Sequence, residues 1–447
     1  MSISRNVGAI SAHLTVIRQT HFYRNIKLGT RGLLERIPMV GIAVYRLISR
    51  IKDMLKALVI GDNIFDAMGF KYVGPVDGHN VRQLVKILKR ARDIEEPVLI
   101  HVVTHKGKGY RPAEEFPEKF HGAVPFDIET GEPKEPSEAG YGKIAAGILA
   151  DMAERRRDIC AVTAAMPTGT GLSVFADRHP DRFFDVGIAE EHAVTMAAGL
   201  AASGMKPYVA IYSTFLQRAY DQISNDVCLN RLPLTLLIDR AGLVGADGAT
   251  HNGILDLSYL RSIPNMTIAA PRDVRALVRL MEFSVNFNAP LAIRYPRDAV
   301  DLGVNFEKSA RIIPGHWERL LDGEITLIAV GRMVEIALHA AMMLEQQGIS
   351  AGVVDAMFIK PLDTEMLSKL ASEKGLVVTI EENTLMGGFG EAVLGEMNRL
   401  GAENRVITLG VPDKYITHAD IDEQLRQCGL DADSIVQTIR RCIGKQH

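Results

Sequence analysis

The stretch Phe183-Phe-Asp-Val-Gly-Ile-Ala-Glu-Glu-His192 decides how this chain is read. A short apolar run, Phe183–Val186, stops at a glycine. A helical pattern opens at Glu190 and continues to Ala202. Strand, tight turn, helix is the repeating unit of an open α/β sheet. The unit recurs on both sides. Candidate strands are Ile159–Thr163, Tyr208–Tyr212, Leu234–Ile238, Met266–Ala270 and Leu291–Tyr295, each bounded by Gly, Pro, Asp or Asn. Further helices are predicted at Leu216–Leu229 and Asp273–Phe287. Residues 141–303 therefore predict a doubly wound α/β sheet.

Two flanking blocks follow the same logic. Residues 1–110 end in the strand-like run Pro97–Val103, preceded by a helical pattern over Val81–Ala91. A linker, 111–140, is rich in Pro, Glu and Gly and has no apolar period. From about residue 315 to 447 a smaller α/β domain is expected, with strands at Ile325–Val330, Ala351–Val354 and Leu376–Ile380. An amphipathic helix is predicted over Met333–Gln347, and Gly387-Gly-Phe-Gly390 opens another.

The 447 residues, 47% of them hydrophobic, suffice for two or three domains with their own cores. With 51 basic and 54 acidic side chains, nothing points to nucleic acid as a partner. The four cysteines, Cys160, Cys228, Cys428 and Cys442, form no paired motif. That argues against a disulfide framework or a zinc site and predicts a cytoplasmic protein. No signal peptide is visible, and no membrane span is expected: Ile37–Ile48 is too short and is broken by Arg46. From Arg5 to Lys56 basic residues dominate. That bias fits a surface-binding amphipathic segment or a solvated domain surface, and the neutrality of the whole chain favours the second.

In open α/β sheets, ligands sit beyond the C-terminal ends of strands. The rule selects Glu190, Ser213-Thr214, Asp239-Arg240 and Arg297. Each has an ordinary structural reading. Acids in a first turn are stabilised by the helix dipole, which alone accounts for Glu190 and Glu191. Ser213 or Thr214 suits a helix cap. The segment Asp239-Arg-Ala-Gly-Leu-Val-Gly-Ala-Asp-Gly-Ala-Thr-His-Asn-Gly253 is harder to dismiss. It is long, Gly-rich and costly to order, and it carries Arg240, Asp247 and His251.

Taken together the motifs resemble one family. Ile188-Ala-Glu-Glu-His-Ala193, Tyr212-Ser-Thr-Phe-Leu-Gln-Arg-Ala-Tyr-Asp-Gln222 and Asp239–His251 resemble segments of the 1-deoxy-D-xylulose-5-phosphate synthases. So do Gly74–His79, Lys106–Tyr110, Ala165–Leu172, Arg294–Arg297 and Glu381–Gly388, in the same order. The resemblance implies a cytoplasmic transferase of the transketolase type, feeding isoprenoid, thiamine and pyridoxal biosynthesis. It would join pyruvate to glyceraldehyde 3-phosphate with loss of carbon dioxide, using thiamine diphosphate and Mg2+ as cofactors. The fold implied is a pair of thiamine-diphosphate-binding doubly wound sheets, the first incomplete here, plus a smaller transketolase-type C-terminal domain. Residues 1–110 would be a remnant of the diphosphate-binding domain, 141–303 the pyrimidine-binding domain and 315–447 the C-terminal domain.

Residue roles carry over by position. Glu190 matches the carboxylate that holds the cofactor's pyrimidine, and Phe215 the aromatic group packed on it. Tyr212, Arg218, Arg240, Asp247 and Arg297 match the acceptor-binding end, where guanidinium groups suit a phosphate dianion. His251 and His121 match catalytic histidines; Lys106 and Tyr110 match cofactor-side positions. Met1 matches a metal ligand through its carbonyl and Ile3 a thiazolium contact. The family's G-D-G and N-D-N motif for magnesium has no counterpart: Gly61-Asp62-Asn63 has no partner, and Met1–Ser4 matches the segment just after N-D-N. Three readings follow: the synthase itself, a subunit of a split transketolase-like enzyme with a separate N-terminal subunit, or a non-catalytic scaffold. A homodimer is implied, and the isolated chain is expected to bind the cofactor weakly or not at all.

Overall fold

The computed structural model describes residues 64–444, except 118, 135–139, 299–311 and 374. Met1 and Ile3, the basic stretch and Gly61-Asp62-Asn63 lie outside the described residues. The chain divides into two compact units, 1–136 and 137–447.

In the first unit, strands β1 (Lys71–Asp77) and β2 (Val98–Val103) pair in parallel. Helix α1 (Val81–Arg92) connects them, capped by Asn80, whose side chain accepts from the Gln83 N–H. A parallel pair needs such a crossover. Val81, Val85 and Leu88 of α1 are exposed, and no α1 residue is buried.

The second unit holds two sheets. Strands β3 (Ile159–Thr163), β4 (Phe183–Asp185), β5 (Lys206–Tyr212), β6 (Thr235–Asp239), β7 (Thr267–Ala269) and β8 (Leu291–Arg294) are all parallel. Every residue of β3, β5, β6 and β8 is buried, as strands covered on both faces require. Helices α2 (Tyr141–Arg155), α3 (Glu190–Ala202), α4 (Asp256–Ser262) and α5 (Val274–Asn286) flank the sheet. The smaller sheet is built from β9 (Glu318–Leu321), β10 (Ile325–Ala329), β11 (Ala351–Asp355), β13 (Leu376–Thr384) and β14 (Val406–Val411). Its order is β14-β13-β10-β11-β9, with only β9 antiparallel. Helices α6 (Met333–Glu345), α7 (Thr364–Glu373), α8 (Phe389–Arg399), α9 (Ile421–Cys428) and α10 (Ala432–Ile443) complete it.

Two departures from the sequence reading matter. Strand β12 (Phe358–Lys360) comes from the third block but pairs antiparallel with β7, giving the larger sheet the order β12-β7-β8-β6-β5-β3-β4. The expected helix over Leu216–Leu229 is instead a broken path: an α turn over Ser213–Leu216, a 3-10 turn over Gln217–Ala219 and a π-helical run over Ile223–Cys228. Asn230 donates to the Asn225 and Asp226 carbonyls, 3.0 Å each, near the end of that run. Such irregular helices are frequent at functional sites.

Candidate active site

The parallel sheet delivers β3 through β6 to one edge, and the chain leaves β3, β4 and β6 through a residue of positive φ: Ala165, Gly187 and Arg240. Ala165, just past β3, has φ +60, and Arg240, just past β6, has φ +59. Non-glycine residues hold such backbone only where surroundings enforce it. At Ala165 the enforcing group is Asp185. Its Oδ1 accepts from the Ala165 N–H at 2.7 Å and from the Gly187 N–H at 3.0 Å. That clamp ties the β3 turn to the turn that launches α3.

Glu190 therefore begins α3 from a fixed position, and its side chain is 3% exposed. Below it, Ala193, Ala197, Ala198 and Ala201 give α3 a small-residue buried face. Arg218 Nη1 donates to Glu190 Oε1 at 2.7 Å while Arg218 itself is 51% exposed. The buried acid is thus bonded to a guanidinium that is itself half in solvent. Arg218 also stands 5.6 Å from the Phe215 ring centre. Phe215 stacks against Tyr212 at 5.8 Å and meets His251 edge-on at 5.4 Å. Glu190, Arg218, Phe215, Tyr212 and His251 are one contiguous group.

A second group adjoins it. The Arg240 guanidinium lies 3.9 Å over the Tyr212 ring, a cation–π contact. Arg240 and Arg297 both form ion pairs with Asp247. Two guanidinium groups sharing one carboxylate can be re-paired by an incoming dianion. Tyr212 is held from behind by the backbone of Gly169, where a Cβ would fall 1.6 Å from the phenol oxygen. Burial pushes the Tyr212 phenol above its usual range, against the pull of Arg240. Asp239, at the root of the Arg240 turn, is buried. Loss of hydration raises its carboxyl to about 7, although Arg240 and Arg297 oppose the shift.

The structure thus gathers Glu190, Phe215, Tyr212, Arg218, Arg240, Asp247, His251 and Arg297. Arg218, which the resemblance assigned to the acceptor-binding end, is paired here with Glu190. Lys106, Tyr110 and His121 belong to the first unit. There Lys106 Nζ and His121 Nδ1 are 3.2 Å apart, and the Tyr110 hydroxyl donates to the Ile128 carbonyl at 3.0 Å. Sequence reading selected Asp239, with Arg240, by its strand-end position, but passed over Asp185. Both end strands at the ligand-bearing edge, and that position was the available signal. Among the described residues no group of three or more His, Cys, Asp or Glu is arranged to hold a metal ion. No described helix is long and apolar enough to cross a membrane.

Three family models match the chain. The transketolase pyrimidine-binding domain covers residues 137–301, the transketolase C-terminal domain 315–435, and a 1-deoxy-D-xylulose-5-phosphate synthase model residues 1–104. A 1-deoxy-D-xylulose-5-phosphate synthase of Caldanaerobacter subterraneus subsp. tengcongensis is 47% identical over 441 residues, covering 98% of this chain and 71% of that protein. The chain belongs to the 1-deoxy-D-xylulose-5-phosphate synthase family. The synthase of Natranaerobius thermophilus is 46% identical over all of this chain and 72% of its own length. Among solved structures, a chain of a split-gene transketolase described as an inactive beta4 tetramer is 31% identical with a TM-score of 0.60. It covers 68% of this synthase-family chain and 98% of its own. A transketolase from Campylobacter jejuni, 17% identical with a TM-score of 0.57, covers 86% of this chain and 70% of its own; it shares the fold.

Proposed function

We propose that this chain carries the catalytic site of a 1-deoxy-D-xylulose-5-phosphate synthase, acting on pyruvate and glyceraldehyde 3-phosphate in the cytoplasm. The observation that carries the reading is the buried Glu190 carboxylate, linked through Arg218 to the Phe215 ring, in a group that adjoins the arginines paired at Asp247. The pyrimidine half of thiamine diphosphate fits these residues. Glu190 offers a desolvated carboxylate to a ring nitrogen, Phe215 an aromatic face, and Arg218 keeps the acid paired. When bound, the cofactor supplies an electron sink for decarboxylating a 2-keto acid and for joining the remaining carbons to an aldehyde. Glu190 holds a proton at that ring nitrogen and sets its tautomer. Phe215 shields the ring from water. Arg240 and Arg297 exchange Asp247 for the acceptor phosphate, and Tyr212 supports Arg240 from below. His251, bonded through Nδ1 to the Thr250 hydroxyl at 3.0 Å, is placed to move a proton at the acceptor aldehyde oxygen. The domain limits assigned from the sequence (1–110, 141–303 and 315–447) are retained as part of this proposal, with Lys106, Tyr110 and His121 on the diphosphate side.

For the magnesium half, no group of three or more His, Cys, Asp or Glu among the described residues is arranged to hold a metal ion. A second reading is favoured by the split-gene match: a separate polypeptide supplies that half. In either case a homodimer of the catalytic assembly is proposed. The test is turnover with both substrates, thiamine diphosphate and Mg2+, counting sugar phosphate and carbon dioxide. It is run with the chain alone and after adding, as a separate polypeptide, the part of the Caldanaerobacter relative that this chain does not match. Equimolar products in either arm support the assignment, and the arm that yields them chooses between the readings. No product in both arms rejects catalysis.

A further inference from the structure

The loop from Arg240 to Gly253 carries three candidate site residues, yet much of its backbone is held by the C-terminal domain. The Leu243 N–H donates to Glu382 Oε1 at 3.1 Å, and the Gly245 N–H to Gln424 Oε1 at 2.9 Å. Between them, the Val244 N–H donates to Asn252 Oδ1 at 3.1 Å, and Asn252 Nδ2 donates to the Ile416 carbonyl at 3.0 Å. Leu243 itself is wholly buried among C-terminal-domain side chains such as Leu327, Val411 and Ile416.

Arg332, just before α6, is the hub. Its Nε donates to Glu382 Oε2 at 2.6 Å, and Nη2 pairs with Glu382 Oε1. Nη2 also donates to the Leu243 carbonyl at 3.0 Å. Nη1 donates to both carboxylate oxygens of Asp298, at 2.8 and 3.1 Å. Asp298 directly follows Arg297. One guanidinium, 11% exposed, thus grips the loop of Arg240 on one side and the neighbour of Arg297 on the other. Gly242 lets the loop come this close: a Cβ there would lie 2.9 Å from the Glu382 carboxylate carbon.

We propose that Arg332 and Glu382 of the C-terminal domain are positioning residues that set the spacing of Arg240 and Arg297 for the acceptor's phosphate. The inference rests on the reading of those two arginines as the phosphate site. The physical reason is preorganisation. A glycine-rich loop left free would be ordered by the ligand, and the cost would appear as lost affinity. A buried, fully bonded ion-pair network settles that order beforehand. Only a planar, forked cation spans a carboxylate, a carbonyl and a second carboxylate at once, so lysine cannot replace Arg332.

The experiment titrates the full chain with glycerol 3-phosphate, a phosphorylated three-carbon probe that needs no cofactor. The same proteins are followed by amide exchange at 241–245 and in β6. Native protein should bind and Arg240→Ala should not. Glu382→Gln, nearly isosteric, should weaken binding about tenfold and speed exchange at Leu243–Gly245, with β6 as protected as in the native chain. In the turnover assay KM for glyceraldehyde 3-phosphate should rise about tenfold while KM for pyruvate stays within twofold. Binding by folded Glu382→Gln within twofold of native, with Arg240→Ala still defective, overturns the positioning role and leaves the phosphate site standing. Equal binding by native and Arg240→Ala protein overturns both. If Glu382→Gln does not fold, Arg332→Lys is judged by the same criteria.

Discussion

A carboxylate as buried as that of Glu190 needs a partner, and the one it has, Arg218, is half in solvent. Breaking such a pair from one side leaves an uncompensated charge, so a substitution at Arg218 also disturbs Glu190. The phosphate assignment at Arg240 and Arg297 makes its own prediction. Arg240→Ala or Arg297→Ala should raise KM for glyceraldehyde 3-phosphate by about ten- to hundredfold, the worth of a charge-assisted hydrogen bond. KM for pyruvate should hold; steady-state kinetics against each substrate checks this, and equal effects on both would reject the assignment. Asp239 predicts a pH dependence. Its folded-state value of about 7 lies above the ordinary aspartate value of about 3.9. The folded state therefore keeps a proton that the unfolded state has lost, and Asp239 costs stability progressively as pH rises from about 4 to about 7. The slope is at most about 1.4 kcal/mol per pH unit. Asp239→Asn should flatten the melting-temperature profile across that window, and an unchanged profile would contradict the burial argument. Strand-end position made Glu190, Arg240 and Arg297 legible in the sequence. It could not show that Arg218 turns toward Glu190, because that follows from the irregular helix that carries it.

The six parallel strands of the large sheet were legible because they are short apolar runs between turn residues, and boundaries differ from the reading by one or two residues where they differ. The stretch after Tyr212 was not, since a 3-10 turn followed by a π-helical run keeps a broadly helical apolar pattern. The loop from Arg240 to Gly253 looked costly to order, and the structure shows what orders it. Gly242 and Gly253 exchange backbone hydrogen bonds at 2.8 and 2.7 Å. At Gly253 a Cβ would lie 2.3 Å from the Arg240 carbonyl oxygen and 2.5 Å from the Ser213 hydroxyl. One neighbour is main chain and cannot swing away. Gly253→Ala should cost about 1–3 kcal/mol, the range for overpacking, and weaken acceptor binding as Arg240 is displaced. Denaturant midpoints and the acceptor KM measure the two effects; native values for both would show that the loop is not held at this contact.

At the scale of the molecule, domain order along the sequence hides how the second and third blocks are joined. Phe358–Lys360 completes the edge of the sheet that precedes it by some sixty residues of chain order, beside β7. Such a strand exchange carries no local signal, since three residues give no period to read. The only tryptophan, Trp317, sits at this join: its indole N–H donates to the Phe358 carbonyl at 2.7 Å, and its ring meets Phe389 at 5.6 Å. The C-terminal domain is thus built into the sheet edge and into the loop bearing Arg240, which makes it part of the site's support. All of this geometry serves one chemical claim, that Glu190 tunes a pyrimidine-bearing cofactor for carbon–carbon bond formation. The most direct measurement is synthase turnover by Glu190→Ala in whichever assembly is active. Turnover should fall by about 10²–10⁴, the usual worth of a positioned proton-transfer group, with Trp317 fluorescence unchanged. Turnover within a fewfold of the native protein would contradict the account.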